Sequence, residues 1–168
     1  MEENARKQPW TVTLDDGTAI GGLTLSGNNT FSGGTALNNG TLIVGSNTAL
    51  GTGALTTAAG TTLDAGTTVA LSNAVALGGN LNVAGNANLT LGGVVGGSGG
   101  LTKNGAANLI LNGANTFSGG TTLNAGTLTV GNAAALGSGA LTVANAATLD
   151  SNTSVILNNN VALNGNLS

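Results

Sequence analysis

Aliphatic side chains recur along this chain in runs of three or four residues, each alternating with small or polar neighbours. The clearest are Leu-Thr-Leu at 23–25, Thr-Leu-Ile-Val at 41–44, Thr-Thr-Leu at 61–63, Asn-Leu-Asn-Val at 80–83 and Gly-Leu-Thr at 100–102. Alternation puts successive side chains on opposite faces of a strand, so each run predicts a short strand with one buried face. The runs return about every 20 residues, a spacing typical of stacked coils. Shorter runs such as Thr-Ala-Leu, Ala-Leu-Thr-Thr and Thr-Val-Ala-Leu lie between them, set off by Gly, Asn and Ser. A helix would need apolar spacings of three and four, and each interior Gly costs it about 1 kcal/mol. The pattern therefore predicts an all-β chain wound as a β-solenoid, about eight coils of roughly 20 residues.

A longer period overlies the short one. Shifting the sequence by 86 residues aligns 23–82 with 109–168 without a gap, at roughly two-thirds identity. The organisation expected is a tail and first strand over 1–22, one complete repeat over 23–108 and a second, truncated repeat over 109–168. Leu23, Leu25, Leu37, Leu42, Val44, Leu50, Leu55, Leu63, Val69, Leu71, Val75, Leu77 and Leu81 each meet their own residue type in the second copy. Thr24, Ile43 and Ala70, each between two such fixed positions, become Ile110, Thr129 and Ile156. Fixed positions are expected inward and variable ones outward. Leu42, Leu109 and Val155 should thus be inside and Ile43, Ile110 and Ile156 outside. Thr57 shares the face of Leu55 and becomes Val143, so its hydroxyl needs an acceptor if it is buried. Like residues of the two copies are expected to stack, with Phe31 and Phe117 about four coils apart as plugs at a wide turn. Gly33, Gly34, Gly119 and Gly120 follow them where a Cβ would clash, and Asn at the turns can form ladders along the stack.

Composition narrows the function classes. Charged residues are 5% of the chain, aromatic residues 2%, and there is no His, Cys or Tyr. Three basic residues in a chain of net charge −3 make no nucleic-acid footprint. Without Cys there is no disulfide framework and no thiolate metal site. The opening Met-Glu-Glu-Asn-Ala-Arg-Lys-Gln-Pro-Trp lacks the apolar core of a secretory signal.

One segment has a familiar form. Residues 100–143 contain Gly-Leu-Thr-Lys, a Leu-Ile-Leu strand, Asn-Thr-Phe-Ser-Gly-Gly-Thr and Gly-Thr-Leu-Thr-Val in that order. This resembles the passenger-associated transport repeat, also called the autotransporter-associated β-strand repeat. The first copy matches from about Leu23 but lacks the Leu-Thr-Lys lead. The resemblance implies a right-handed parallel β-helix in a passenger exported across a bacterial outer membrane, a stalk that assists export and displays other domains. The partners implied are neighbouring coils of the parent chain and its outer-membrane barrel translocator. A cofactor is not implied.

Candidate chemistry is sparse. The carboxylates are Glu2, Glu3, Asp15, Asp16, Asp64 and Asp150. Adjacent Asp15 and Asp16 would point to opposite faces of a strand, and Leu-Asp-Asp-Gly-Thr reads as a turn. Asp64 and Asp150 are repeat equivalents placed as turn formers. No Ser has a His beside it as base, and Lys103, the one Lys beyond the N-terminal tail, is expected as a solvated surface charge. The Gly-rich stretch 92–100 lacks the following helix of a phosphate loop and reads as a joint between the copies. Glycosylation tripeptides at Asn28 and Asn88 are expected to go unused. No catalytic, cofactor or metal residues are assigned, and an enzyme is the least favoured class. The alternative to a stalk is an adhesin-like module contacting glycan or host surface through a Thr- and Asn-rich face. An ice-binding face would want Thr-x-Thr on every coil, which the sequence does not repeat. Residues 1–12, with Pro9 and Trp10, could cap the first coil. The C-terminal Val-Ala-Leu-Asn-Gly-Asn-Leu-Ser carries no charge, so self-association through that end is expected.

Overall fold

The computed structural model describes residues 11–14 and 22–168. Of the possible cap over residues 1–12, residues 1–10, with Glu2, Glu3, Pro9 and Trp10, lie outside the described residues, as does the Asp15–Asp16 pair.

Short strands and tight turns wind the chain into a β-solenoid of about 7 turns, with every strand pairing parallel to its neighbours. Face I has eight strands: Gly22–Leu25, Thr41–Val44, Thr62–Ala65, Leu81–Val83, Leu101–Lys103, Thr121–Leu123, Leu141–Val143 and Val161–Leu163. Face II has five: Val69–Leu71, Leu89–Leu91, Asn108–Leu111, Thr127–Val130 and Thr148–Ser151. Face III also has five: Val12–Leu14, Thr35–Leu37, Leu55–Thr57, Val75–Leu77 and Val95–Gly97. The coil through Leu81, Leu89 and Val95 visits each face once before the chain returns to face I at Leu101. Strands of three or four residues suit a three-sided coil, because each side must end where the chain turns a corner.

Register follows the hydrophobic pattern. Leu42, Leu63 and Val83 succeed one another up face I, and Leu89, Leu109 and Leu128 up face II. These side chains are almost completely buried and form one continuous core. The expected inside–outside assignment holds for Leu42 and Leu109, which are fully buried, and for Val155, which packs partly on the core; it fails at Thr129, expected outside but 4% exposed where its hydroxyl bonds to Asn108 of the coil below. Ile43 and Ile110 are only half-buried, and Ile156 is 78% exposed. At the two ends the pattern lacks a neighbouring coil to complete it. Leu23, expected inside, is 37% exposed, and so are Val161 at 52% and Leu163 at 59%.

The two copies do not stack residue on residue. Leu42 lies on face I but its counterpart Leu128 on face II; Leu55 lies on face III but Leu141 on face I. Eighty-six residues span four turns and one further side, so each element of the second copy is advanced by one face. Phe31 follows a face I strand, whereas Phe117 follows a face II strand. Residues 92–100 continue the same stack, with Val95–Gly97 paired against Val75–Leu77. They form a tightly packed corner and strand in which Gly97 has φ of +112°.

Candidate functional site

The side chains shared by the two copies converge on one structural device, a clasp across three coils. Asn29 donates its Nδ2 to the carbonyl of Ala49 at 2.7 Å, and Asn115 does the same to Ala135 at 2.7 Å. The carbonyl of Phe31 accepts the Thr52 amide at 2.9 Å, and that of Phe117 accepts the Ser138 amide at 3.0 Å. The loop held this way, 46–53 or 132–139, turns through Gly51 or Gly137, each with φ of +60°. A Cβ there would be strained and would also strike the carbonyl oxygen of the Phe in the coil below. Gly34 and Gly120, in the Phe-Ser-Gly-Gly turn itself, also have positive φ, at +88° and +79°.

From the coil above, Asn73 donates to the carbonyls of Gly51 at 3.1 Å and Gly53 at 2.7 Å. Asn159 donates to those of Gly137 at 3.0 Å and Gly139 at 2.7 Å. Each loop is therefore gripped from both sides. The upper grip is absent from the sequence reading, although it had a signal. Asn73 is unchanged in the second copy while its neighbours Ser72 and Ala74 both become Asn.

Among the described residues the ionisable side chains are Asp64, Lys103 and Asp150, and they do not meet. Among the same residues no three His, Cys, Asp or Glu side chains lie close enough to hold a metal. Asp64 is buried; its Oδ1 accepts the amides of Ala65 at 2.8 Å and Asn86 at 3.1 Å, and Oδ2 accepts from Asn86 Nδ2. Asp150 is exposed and accepts the Ser151 amide at 2.7 Å. Neither carboxylate occupies the turn expected of it: Asp64 lies in the strand Thr62–Ala65 and ties it to Asn86 of the next coil, and Asp150 lies in the strand Thr148–Ser151.

Lys103 overturns its expected surface position. Its side chain is 0% exposed and points inward from face I, above Val83 and below Leu123. The ammonium reaches the corner after its strand and donates to the carbonyls of Gly105 and Ala125, joining two successive coils. Burial lowers its pKa from the ordinary lysine value. The reason lies in the alternation itself: in Leu-Thr-Lys, Lys103 has the parity of Leu101.

Among the described residues the outer surface is regular, and Asp150 is its one exposed charged side chain. On face I, Thr102, Thr122 and Thr142 follow one another in register, with Asn82 next in the same row. Beside them Asn124 donates to Asn104 at 2.7 Å and Asn104 to Asn82 at 3.5 Å, the expected asparagine ladder. A shallow recess of about 380 Å³ lies over the second clasp, lined by Ala, Gly, Ser and Asn residues from 133–140 and 158–160. It holds no general acid, base or nucleophile pair.

Neither a curated protein nor a solved structure matches the chain. The family model of the passenger-associated-transport-repeat matches residues 20–44 and 101–130, together about a third of the sequence. Those two segments contain Asn29, Phe31 and Gly34 of the first clasp, and Lys103, Asn115, Phe117 and Gly120 of the second. The chain is thus a β-solenoid in which two segments match the passenger-associated-transport-repeat.

Proposed function

We propose that the chain is a structural segment of an exported passenger, a β-helical stalk supporting outer-membrane secretion and display. The observation that carries this reading is how the family's motif residues are used. Asn115 and Phe117 are buried and bonded to the next coil. Lys103 bonds to two coil corners. Residues spent on coil-to-coil bonds serve the stack and are not offered to a ligand. A repeat unit that cannot bury its own face gains stability from each neighbour, which suits a stalk extended by adding units. In this reading the chain is not an enzyme, and it acts through the barrel translocator of its parent protein.

The test places the chain between a reporter domain and an outer-membrane barrel and measures protease-accessible reporter on intact cells. Substituting Asn115 and Asn159 together should lower display. Replacing the whole chain by a flexible Gly-Ser linker of equal length should lower it further. Equal display with the linker would remove the stalk reading.

The threonine row on face I favours a second reading, an adhesin-like contact with glycan or host surface. Binding to a glycan array that is lost when Thr102, Thr122 and Thr142 are changed together to Lys would support it.

A further inference from the structure

Asn-Gly pairs occur at 39–40, 104–105, 112–113 and 164–165. Such a pair can modify itself, because the glycine nitrogen can attack the side-chain carbonyl carbon, Cγ, of the asparagine before it. Glycine suits the step, since no Cβ crowds the ring that forms. Which pair reacts is a matter of geometry: a nucleophile held beside its target gains over one that must find it. Three of the pairs are held apart. The Asn104 side chain lies in the asparagine ladder, its Oδ1 accepting from Asn124 at 2.7 Å and its Nδ2 donating to Asn82 at 3.5 Å. Oδ1 of Asn112 accepts from Asn152, two coils above, at 3.1 Å. At Asn164 the nucleophile itself is engaged, because the Gly165 amide donates to the Val143 carbonyl at 3.1 Å.

Asn39 is arranged the other way. The Gly40 amide donates to Oδ1 of Asn39 itself at 2.8 Å. Oδ1 is bonded to Cγ, so the nitrogen stands beside the carbon that it would attack. Neighbouring coils pin the pair on both sides. The Asn38 amide donates to the Leu14 carbonyl at 3.0 Å, and the Thr62 amide to the Gly40 carbonyl at 3.0 Å. Gly40 turns the chain with φ of +73°, and both residues are half-buried, so water reaches them. The same contact at Asp64 and Asp150 ends on a carboxylate, a far poorer electrophile. It also starts from Ala65 or Ser151, whose Cβ crowds the ring. In the second copy Ala125 takes the place of Asn39.

We propose that Asn39–Gly40 is a self-modifying site at which the side-chain amide is lost. Hydroxide takes the Gly40 amide proton and the nitrogen bonds to Cγ. The Cγ–Nδ2 bond breaks, and ammonia departs with a proton from water, which restores the hydroxide. Water then opens the succinimide at either carbonyl, leaving aspartate or isoaspartate at position 39. Isoaspartate carries the main chain through its side chain and lengthens it by one carbon. That carbon enters the corner of residues 38–40, between the fully buried Leu37 and Leu42. The two strands can then no longer keep both leucines in register, and the coil is loosened. The change also adds a carboxylate to a surface where, among the described residues, Asp150 is the one exposed charge.

Peptide mapping by mass spectrometry tests this on the folded chain incubated in mildly alkaline buffer, beside a sample kept unfolded in guanidinium chloride. The unfolded sample sets the pace of each Asn-Gly pair without structure. In the folded chain Asn39 should convert at least as fast as its unfolded reference. Asn104, Asn112 and Asn164 should convert at least about tenfold more slowly than Asn39. The rate at Asn39 should rise with pH, as loss of the amide proton requires, and isoaspartate should be among the products. Aged wild type should unfold at lower urea than fresh protein. Asn39→Gln, which must close a larger ring, should keep its stability on ageing. An Asn39 that outlasts its unfolded reference overturns the proposal, as does earlier conversion of any of the other three. Aged wild type as stable as fresh, or an equal loss in aged Asn39→Gln, overturns the loosening of the corner.

Discussion

Thr57 gives the most direct test of the interior. It is 4% exposed on the inward side of face III, stacked between Leu37 and Leu77, and its Oγ1 has no hydrogen-bond partner. A hydroxyl buried without a partner costs about 1–3 kcal/mol on the evidence of protein mutations. Valine has nearly the same shape, so Thr57→Val removes the penalty without opening a cavity. The second copy has already made this exchange. Val143 is fully buried between Leu123 and Leu163, the counterparts of the two leucines around Thr57. The expected gain is therefore about 1–3 kcal/mol, and each kcal/mol should raise Tm by about 2–4 °C in a chain of this size.

Urea denaturation followed by far-UV circular dichroism measures the change, with the m-value expected to stay constant. Thr56→Val is the control. Its side chain is exposed, its hydroxyl makes only a 3.4 Å contact with the Thr35 carbonyl, and the change should fall within about 0.5 kcal/mol. Val143→Thr is the reverse experiment and should destabilise. Its loss should be smaller than the gain at Thr57, because the neighbouring Leu163 is exposed and water reaches that coil more easily. A clear loss from Thr57→Val, with Thr56→Val neutral, would show that the hydroxyl is bonded and that this register is wrong.

Leu128→Ala should cost about 2–5 kcal/mol in the same denaturation experiment, since Leu128 is fully buried between Leu109 and Leu149. Ile43→Thr, outward on face I, should cost little, and equal losses from the two changes would refute the inside–outside assignment. Gly137→Ala should be strongly destabilising, because it adds the clash with the Phe117 carbonyl to an unfavourable φ of +60°. Gly60→Ala, with φ of +79° but open space around it, should cost only the backbone strain. Lys103 predicts a rise of stability with alkaline pH: its folded pKa lies below the unfolded value of about 10.4, so between the two the unfolded chain binds more protons. The penalty on the charged form is present below that window and relieved as pH rises through it. With no His, Cys or Tyr in the chain, the rise should vanish in Lys103→Met; a rise that persists in the variant would assign it to another group.

The strands and their inward faces were legible because a coil's neighbours lie about 20 residues away in the same chain. A residue such as Leu109 meets Leu89 below and Leu128 above, so the periodic pattern already contains the contact. Lys103 was legible by the same rule. Its charge suggested solvent, yet parity with Leu101 placed it inside, where the length of its side chain carries the ammonium past the apolar layer to the corner carbonyls. Burial of a charge is costly unless hydrogen bonds meet it, and the corner carbonyls of Gly105 and Ala125 supply them. At Lys103, side-chain identity misled where geometry did not.

The rotation between the copies needed two periods to be compared. Leu109 follows Leu101 by eight residues, one side of a coil rather than a full turn, and that interval shows the second copy beginning on a different face. The same sequence can occupy either face because its essential contacts run up and down the stack and not across it. Asn29 and Asn115 make the same 2.7 Å bond to the next coil from different sides of the prism. Selection on such a repeat therefore acts on the fit between adjacent coils, and the choice of face is left to the number of residues between copies. Inserting one coil side between the copies, about seven residues, should advance the second clasp to the next face with its bonds intact. Inserting three or four residues should leave its strands between corners and break them.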